Sequence, residues 1–324
     1  GSFAKYHPQI AIITNSEADH LDHYGTQDNY RAAFVDHAGH ATKAVVMCGD
    51  DEGNIAVLRA LDPQVAGHTI VYSTQTADEL GDVNGATLVR IESESETAES
   101  GAEHFALHIP AGLLGDDERR VPVTLTVPGI HNARNASAAS ITAALLGMDV
   151  ERAAAAVTSF LGAARRFQER GAVSQVTLVD DYAHHPTEIA ALLDAARRRY
   201  PQAGIRVSFQ PHLFSRTKFF ARQFAEALAK ADDVIVTGIF PAREKQEDFP
   251  DVTPATIVDE AKKLAHNPSD DWIRGVEDMQ TAAQMMVMRA HHGDVIFTVG
   301  AGDITRMDEV ILQALVAHRW DCEG

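Results

Sequence analysis

In the second half of the chain, apolar residues bunch into short runs at 176–179, 205–209, 234–239 and 295–299, interrupted only by Thr177, Arg206, Ser208, Thr237, Gly238 and Thr298. Short runs this rich in apolar residues predict buried strands, as in a parallel sheet. Between them, apolar residues recur at helical spacing over 187–199, 217–231, 255–264 and 276–290, and a last such stretch covers 308–316. Pro186 and Pro254 stand just before two of these helices, where a missing N–H leaves no bond unmade. Strand and helix alternating at this pitch predict a doubly wound, Rossmann-like α/β domain.

The first half is mixed. Strands are predicted at 10–14, 44–47 and 69–72, with helices at 29–38 and 54–60. Residues 87–91, 104–109 and 121–127 then alternate in the manner of antiparallel strands, and the acidic stretch 92–103, which has no hydrophobic period, reads as a solvated connection between two of them. Helical spacing returns at 135–146 and 150–161 before Gly162-Ala163-Ala164 leads into a new strand. The expected division is a domain over 1–163 and a second over 164–324.

At 324 residues, with 45% hydrophobic and 23% charged residues, the composition is that of a globular chain with room for two cores. No apolar run nears the ~18–20 residues that a membrane span requires, and residues 1–20 lack a signal-peptide core, so no membrane insertion and a cytoplasmic location are expected. Cys48 and Cys322 cannot form a disulfide framework and read as free thiols. The net charge of −18 argues against a non-specific nucleic-acid binder. Residues 1–164 hold 9 Lys and Arg against 22 Asp and Glu, whereas residues 165–324 hold 19 against 24. An anionic ligand would therefore meet its cationic partners in the second half, or would need a bound cation.

Polar residues gather just past the predicted strand ends, where open α/β sheets bind ligands. After the first strand, Asn15-Ser16-Glu17-Ala18-Asp19-His20-Leu21-Asp22-His23 is dense enough in imidazole and carboxylate to hold a divalent cation, with His20 the first candidate; Asp residues capping a helix entry are the alternative. After strand 176–179, Asp180-Asp181-Tyr182-Ala183-His184-His185-Pro186 offers carboxylates for ribose hydroxyls and imidazoles for an anion, or simply caps the next helix. After strand 205–209, His212, Arg216 and Lys218 could form a cationic edge for a carboxylate or phosphate. Arg165-Arg166 lies at the domain junction. In Gly129-Ile130-His131-Asn132-Ala133-Arg134-Asn135, the two carboxamides are three residues apart and share a helix face, which suits an adenine edge or a plain helix cap. Gly300-Ala301-Gly302 is a weak dinucleotide signal, because Thr305 occupies the place of the third glycine. His291-His292 is expected to lie in a loop away from carboxylates and is given no role.

Taken in order, Thr14–Asp22, His131–Asn135, Arg165-Arg166-Phe167, Asp180–Pro186 and Gln210-Pro211-His212 with Ser215-Arg216-Thr217 resemble the Mur ligases of peptidoglycan assembly. The Asp-Asp-Tyr-x-His-His-Pro form is similar to that of the alanine-adding branch. The resemblance implies an ATP-dependent ligase with Mg2+ that phosphorylates the carboxylate of UDP-N-acetylmuramate and lets L-alanine attack the acyl phosphate. It makes His20 a magnesium ligand, His131, Asn132 and Asn135 adenine-side contacts, Arg166 the hinge arginine that reaches ATP and Asp181 the ribose-binding aspartate. Tyr182, His184, His185, His212 and Arg216 fall on the side of the muramoyl substrate and amino acid. Phe34 stands where several relatives carry a carbamoylated lysine, so no carbamate is expected. Ala183 replaces the usual glycine, and Leu213 replaces a frequent arginine, leaving Arg216 as a more isolated anchor. A Gly-Lys-Thr phosphate loop is absent from these residues, so the chain is expected to be a fragment, a partial central ATPase domain plus the C-terminal domain, and inactive alone. A tripeptide-recycling ligase, a metal-dependent hydrolase and a non-catalytic nucleotide-binding module are the alternatives.

Overall fold

The computed structural model describes residues 2–17, 21–93, 102–264 and 271–318. The chain divides into two compact units, Gly1–Leu161 and Gly162–Gly324. Among the described residues no helix is long and apolar enough to cross a membrane.

The first unit is built on six strands in sequential order: β1 (Ile10–Ile13), β2 (Ala44–Cys48), β3 (Thr69–Ser73), β4 (Thr87–Ser93), β5 (Glu103–Ile109) and β6 (Arg119–Leu125). β1 to β4 are parallel, and β4, β5 and β6 pair antiparallel. β4 is thus a junction between two modes rather than the first member of an antiparallel set. Short helices α1 (Leu21–Tyr24), α4 (Pro63–Ala66) and α5 (Ala77–Leu80) fill connections; α2 (Gln27–Gly39), α3 (Glu52–Ala60), α6 (Ile130–Leu145) and α7 (Val150–Val157) cover the sheet. Along β2, Ala44, Val46 and Cys48 face the core shared with α6 and α7, while Val45 and Met47 face Val57 and Leu58 of α3. Coverage of both faces is why β2 has no polar position. β6 is buried on one face only: Val121, Val123 and Leu125 point inward while Pro122 is exposed. Glu92 and Glu103 belong to β4 and β5, not to a solvated connection, and Glu92 takes hydrogen bonds from Arg120 and lies 2.8 Å from His108 Nε2. The rest of that acidic stretch, 94–101, is outside the described residues.

The second unit is a sheet of order β11-β10-β9-β12-β8-β7, comprising β7 (Gln168–Val173), β8 (Val176–Asp181), β9 (Ile205–Phe209), β10 (Asp233–Thr237), β11 (Ile273–Val276) and β12 (Val295–Val299). All neighbours are parallel except β7 with β8. Helices α8 (Pro186–Arg199), α10 (Ala221–Leu228) and α11 (Ala255–Ala261) pack on one face through Leu193, Phe224 and Ile257. Helices α12 (Met279–Met288) and α13 (Met307–Ala317) cover the other through Met286 and Ile311. Two layers of helix around one sheet give the doubly wound form expected from the alternation. The apolar stretch 217–231 is two helices, α9 (Phe214–Phe219) and α10, because Phe220 leaves helical geometry at φ −106°, ψ 16°. The stretch 276–290 begins as β11 and becomes helical only after Asp278, whose carboxylate accepts from Thr281 N at 2.8 Å.

Candidate functional site

Polar residues collect at the carboxyl ends of the parallel strands in both units. In the first, Asp50 and Asp51 follow β2. Asp51 Oδ1 accepts from Asn54 N at 2.7 Å, capping α3, and from Ser16 N at 3.1 Å, which pins the segment leaving β1. Asn54 Nδ2 donates to the carbonyls of Ile13 and Cys48, so the same helix start ties two strand ends together. His20 lies outside the described residues. The segment that carries it, rich in carboxylate and imidazole, starts from this pinned strand end and has the donor chemistry for a divalent cation. Among the described residues no three such groups converge as a metal site. Cys48 is buried, and desolvation pushes its thiol up to about 11, so it behaves as an inert core thiol.

Asp50 is the centre of this cluster. Its side chain is only 3% exposed and accepts from Ser73 Oγ, from Thr74 N at 3.0 Å, from Thr74 Oγ1 at 3.0 Å and from Arg134 Nε at 2.6 Å. Burial pushes its pKa up, but the Ser73 hydroxyl, the Arg134 charge and the Thr74 hydroxyl outweigh burial and hold the carboxyl below its ordinary value. Arg134 comes from α6, the helix that also carries His131, Asn132 and Asn135. Gly129 precedes that helix with φ +109°, and a Cβ there would lie 2.4 Å from the His131 ring. Asn132 Nδ2 donates to Pro128 O at 2.7 Å, which leaves its side-chain oxygen with free accepting capacity. Asn135 is exposed and His131 half-buried. Phe34 packs against Tyr30 and Phe3, with ring centroids 5.0 and 4.8 Å away.

In the second unit the adjacent arginines have separate environments. Arg165, at φ +58°, turns inward: Nε lies 3.3 Å from the fully buried Asp180, Nη1 donates to Gly302 O at 3.2 Å, and Nη2 donates to Gly300 O. Gly300 and Gly302 serve this close packing, since a Cβ on either would collide with Gln210. Arg166 remains 52% exposed, 3.9 Å from Glu188, and both guanidiniums lie over the Tyr182 ring at 5.0 and 5.6 Å. Asp181 is 6% exposed, and its two oxygens accept from Phe167 N and Ala183 N, each at 2.7 Å. Burial dominates and pushes its pKa up to about 6 despite those donors.

His184, His212 and Arg216 sit together: the two rings are 6.0 Å apart, and Arg216 Nη1 is 3.4 Å from His212 Nδ1. Burial first, then the charge of Arg216, lowers His212 to about 4, so the imidazole is neutral at neutral pH. His184 also lies 3.3 Å from Glu188, which accepts the backbone N–H groups of His184 and His185. His185 faces Phe220 at 4.9 Å rather than this group. The expected cationic edge is narrower than the three residues suggest: His212 is neutral, Arg216 is buried beside it, and of the three only Lys218 is exposed. His291 is also corrected. It remains exposed in its loop but lies 2.7 Å from Arg206 and 3.6 Å from Asp294, at the edge of an ion network that includes Asp233, Arg274 and Arg289. Sequence reasoning missed Asp50, Ser73, Thr74 and Glu188; only the last left a signal, an acidic residue three positions after the histidine that starts α8.

Residues 2–143 match the Mur ligase middle domain, and residues 165–302 match the glutamate ligase domain of Mur ligases. The UDP-N-acetylmuramate–L-alanine ligase of Bifidobacterium adolescentis is 88% identical over all 324 residues. The enzyme of that name from Bifidobacterium longum is 65% identical over 323 residues. The chain spans 62% and 63% of the length of these relatives. The crystal structure of UDP-N-acetylmuramate-alanine ligase from Thermotoga maritima matches with a TM-score of 0.69 and 25% identity, covering 98% of this chain and 61% of that one. A murein peptide ligase from Psychrobacter arcticus shares the fold at a TM-score of 0.63 and 21% identity, covering 98% of this chain and 60% of that one.

Proposed function

The chain belongs to the Mur ligase family, and on that premise we propose that it supplies the adenine-side and amino-acid-side parts of a UDP-N-acetylmuramate–L-alanine ligase. The observation that carries this reading is 88% identity over the whole chain to a relative of that name. The motif residues, gathered at the carboxyl ends of two sheets, support it.

A carboxylate resists attack by an amine because it is a poor electrophile without a leaving group. Transfer of the γ-phosphoryl of ATP to the UDP-N-acetylmuramate carboxylate forms the new P–O bond and releases ADP. The neutral amine of L-alanine then adds to the acyl carbon, and phosphate leaves as the C–N bond is completed. In this reading the Asn132 oxygen and the exposed Asn135 read the adenine edge beside His131. Arg166 brings an exposed guanidinium to the phosphates, positioned by stacking on Tyr182. Asp181 acts through the turn from Phe167 to Ala183; a ribose hydroxyl would share an oxygen that already accepts a backbone N–H. Arg216 offers charge to the substrate carboxylate while the uncharged His212, with His184 beside it, stays available as a polar partner, and His185 supports the start of α8. Mg2+, with His20 among its ligands, would neutralise charge on the phosphate oxygens.

The test replaces the matching segment of the B. adolescentis ligase with this chain. Phosphate release that requires ATP, UDP-N-acetylmuramate and L-alanine together is the expected result. Turnover with a preformed tripeptide in place of L-alanine, or with no need for ATP, would overturn it.

A further inference from the structure

The amino terminus of α6 lacks a cap of its own. Gly129 provides no side chain, and the first turn contains no acidic residue. Between Ile130 and the fully buried Ile141, the buried residues of its first turns are small, Ala133, Ala136, Ser137 and Ala138, and offer few projecting side chains to fix its rotation. Its position is instead set by polar ties from two directions. Glu103 of β5 accepts the Gly129 N–H, and Asp50, at the end of β2, grips Arg134. Asp50 is in turn fixed by Ser73 and Thr74 at the end of β3, so the tie refers the helix to two adjacent strands. Arg134 lies between Asn132 and Asn135 in sequence and is 32% exposed, whereas its partner is 3% exposed.

We propose that Asp50 and Arg134 are a positioning pair that sets the height and rotation of the first turns of α6, and so places Asn132 and Asn135 for the adenine edge. The claim rests on the ligase reading for its consequence in nucleotide binding, but the positioning itself is a property of this chain. Fixing register with a polar pair whose carboxylate is buried is a recognised use of such groups.

Two readouts test it. In the 324-residue chain, amide hydrogen exchange over 130–136 should accelerate in Asp50→Asn and in Arg134→Met by more than it does in the rest of the first unit. Arg134→Lys, which restores a charge but not the planar guanidinium, should recover part of the protection. In the chimeric ligase, KM for ATP should rise about five-fold in Asp50→Asn and Arg134→Met, the factor expected from losing one neutral hydrogen bond to the adenine edge. kcat should stay within about two-fold and KM for L-alanine should not move, since ground-state binding of one substrate alone is affected. Unchanged exchange over 130–136 overturns the pair, as does acceleration no greater there than in the rest of the unit or a lysine variant no better than methionine. Local acceleration with an unchanged KM for ATP overturns the link to nucleotide. A chimera without alanine-dependent turnover even before substitution defeats the ligase reading, and the exchange data alone then decide the pair.

Discussion

Asp50 and Asp181 occupy corresponding places in the two units, each at or just beyond the carboxyl end of a parallel strand and each with a buried side chain. Their chemistry diverges. Asp50 receives a guanidinium, two hydroxyls and a backbone amide and is held below the ordinary carboxylate range. Asp181 receives two backbone amides with Arg166 farther off, and burial pushes it up to about 6. Two amides do not offset the burial of Asp181, whereas hydroxyl donors together with a contacting cation outweigh the burial of Asp50.

The largest effect is expected where a cation is taken from a carboxylate that has no access to water. Arg165→Ala leaves Asp180 fully buried without its guanidinium and should cost the second unit about 3–4 kcal/mol in urea unfolding, with Arg165→Lys recovering part of it. Asp50→Ala should cost the first unit less, about 2 kcal/mol, because the half-exposed Arg134 can turn to solvent. The pH dependence separates the two classes. Asp181 and Asp308, both raised to about 6 by burial, keep protons in the native state that the unfolded chain has released. Stability from these groups is therefore full below about pH 4 and falls as pH rises towards 6. Asp308→Asn should lessen that fall by about 1–2 kcal/mol when unfolding is compared at pH 5 and pH 7.5. Asp50 has the opposite sign: its contribution is present above the unfolded carboxylate value and disappears in more acid solution. The smallest effect is spectroscopic. His212, lowered to about 4, should show no imidazole titration by NMR between pH 6 and 8.

Legibility in the sequence followed burial. The runs at 205–209 and 295–299 coincide with β9 and β12 because both faces of these strands are covered, so every position is apolar or locally satisfied. β11 and β7 escaped because they are edges: Ile273–Val276 contains Arg274 and Gly275, and Gln168–Val173 is almost entirely exposed and bulges between Glu169 and Gly171. The motif residues of the site were legible as types, but their division of labour was not. Arg165 and Arg166 are indistinguishable as letters, and only the left-handed turn at Arg165 sends one inward and leaves the other at the surface. Asp50, Thr74 and Arg134 are far apart in the chain, and no spacing announces a contact made by the register of two strands.

Pro122 on β6 bears on how copies of this chain meet. β6 ends its sheet, and a proline at its centre, beside Arg119 and Arg120, removes a donor from the ladder and places charge near it. A second chain seeking to extend the sheet would find that border blunted, which favours separate molecules over strand-by-strand polymerisation in a crowded cell.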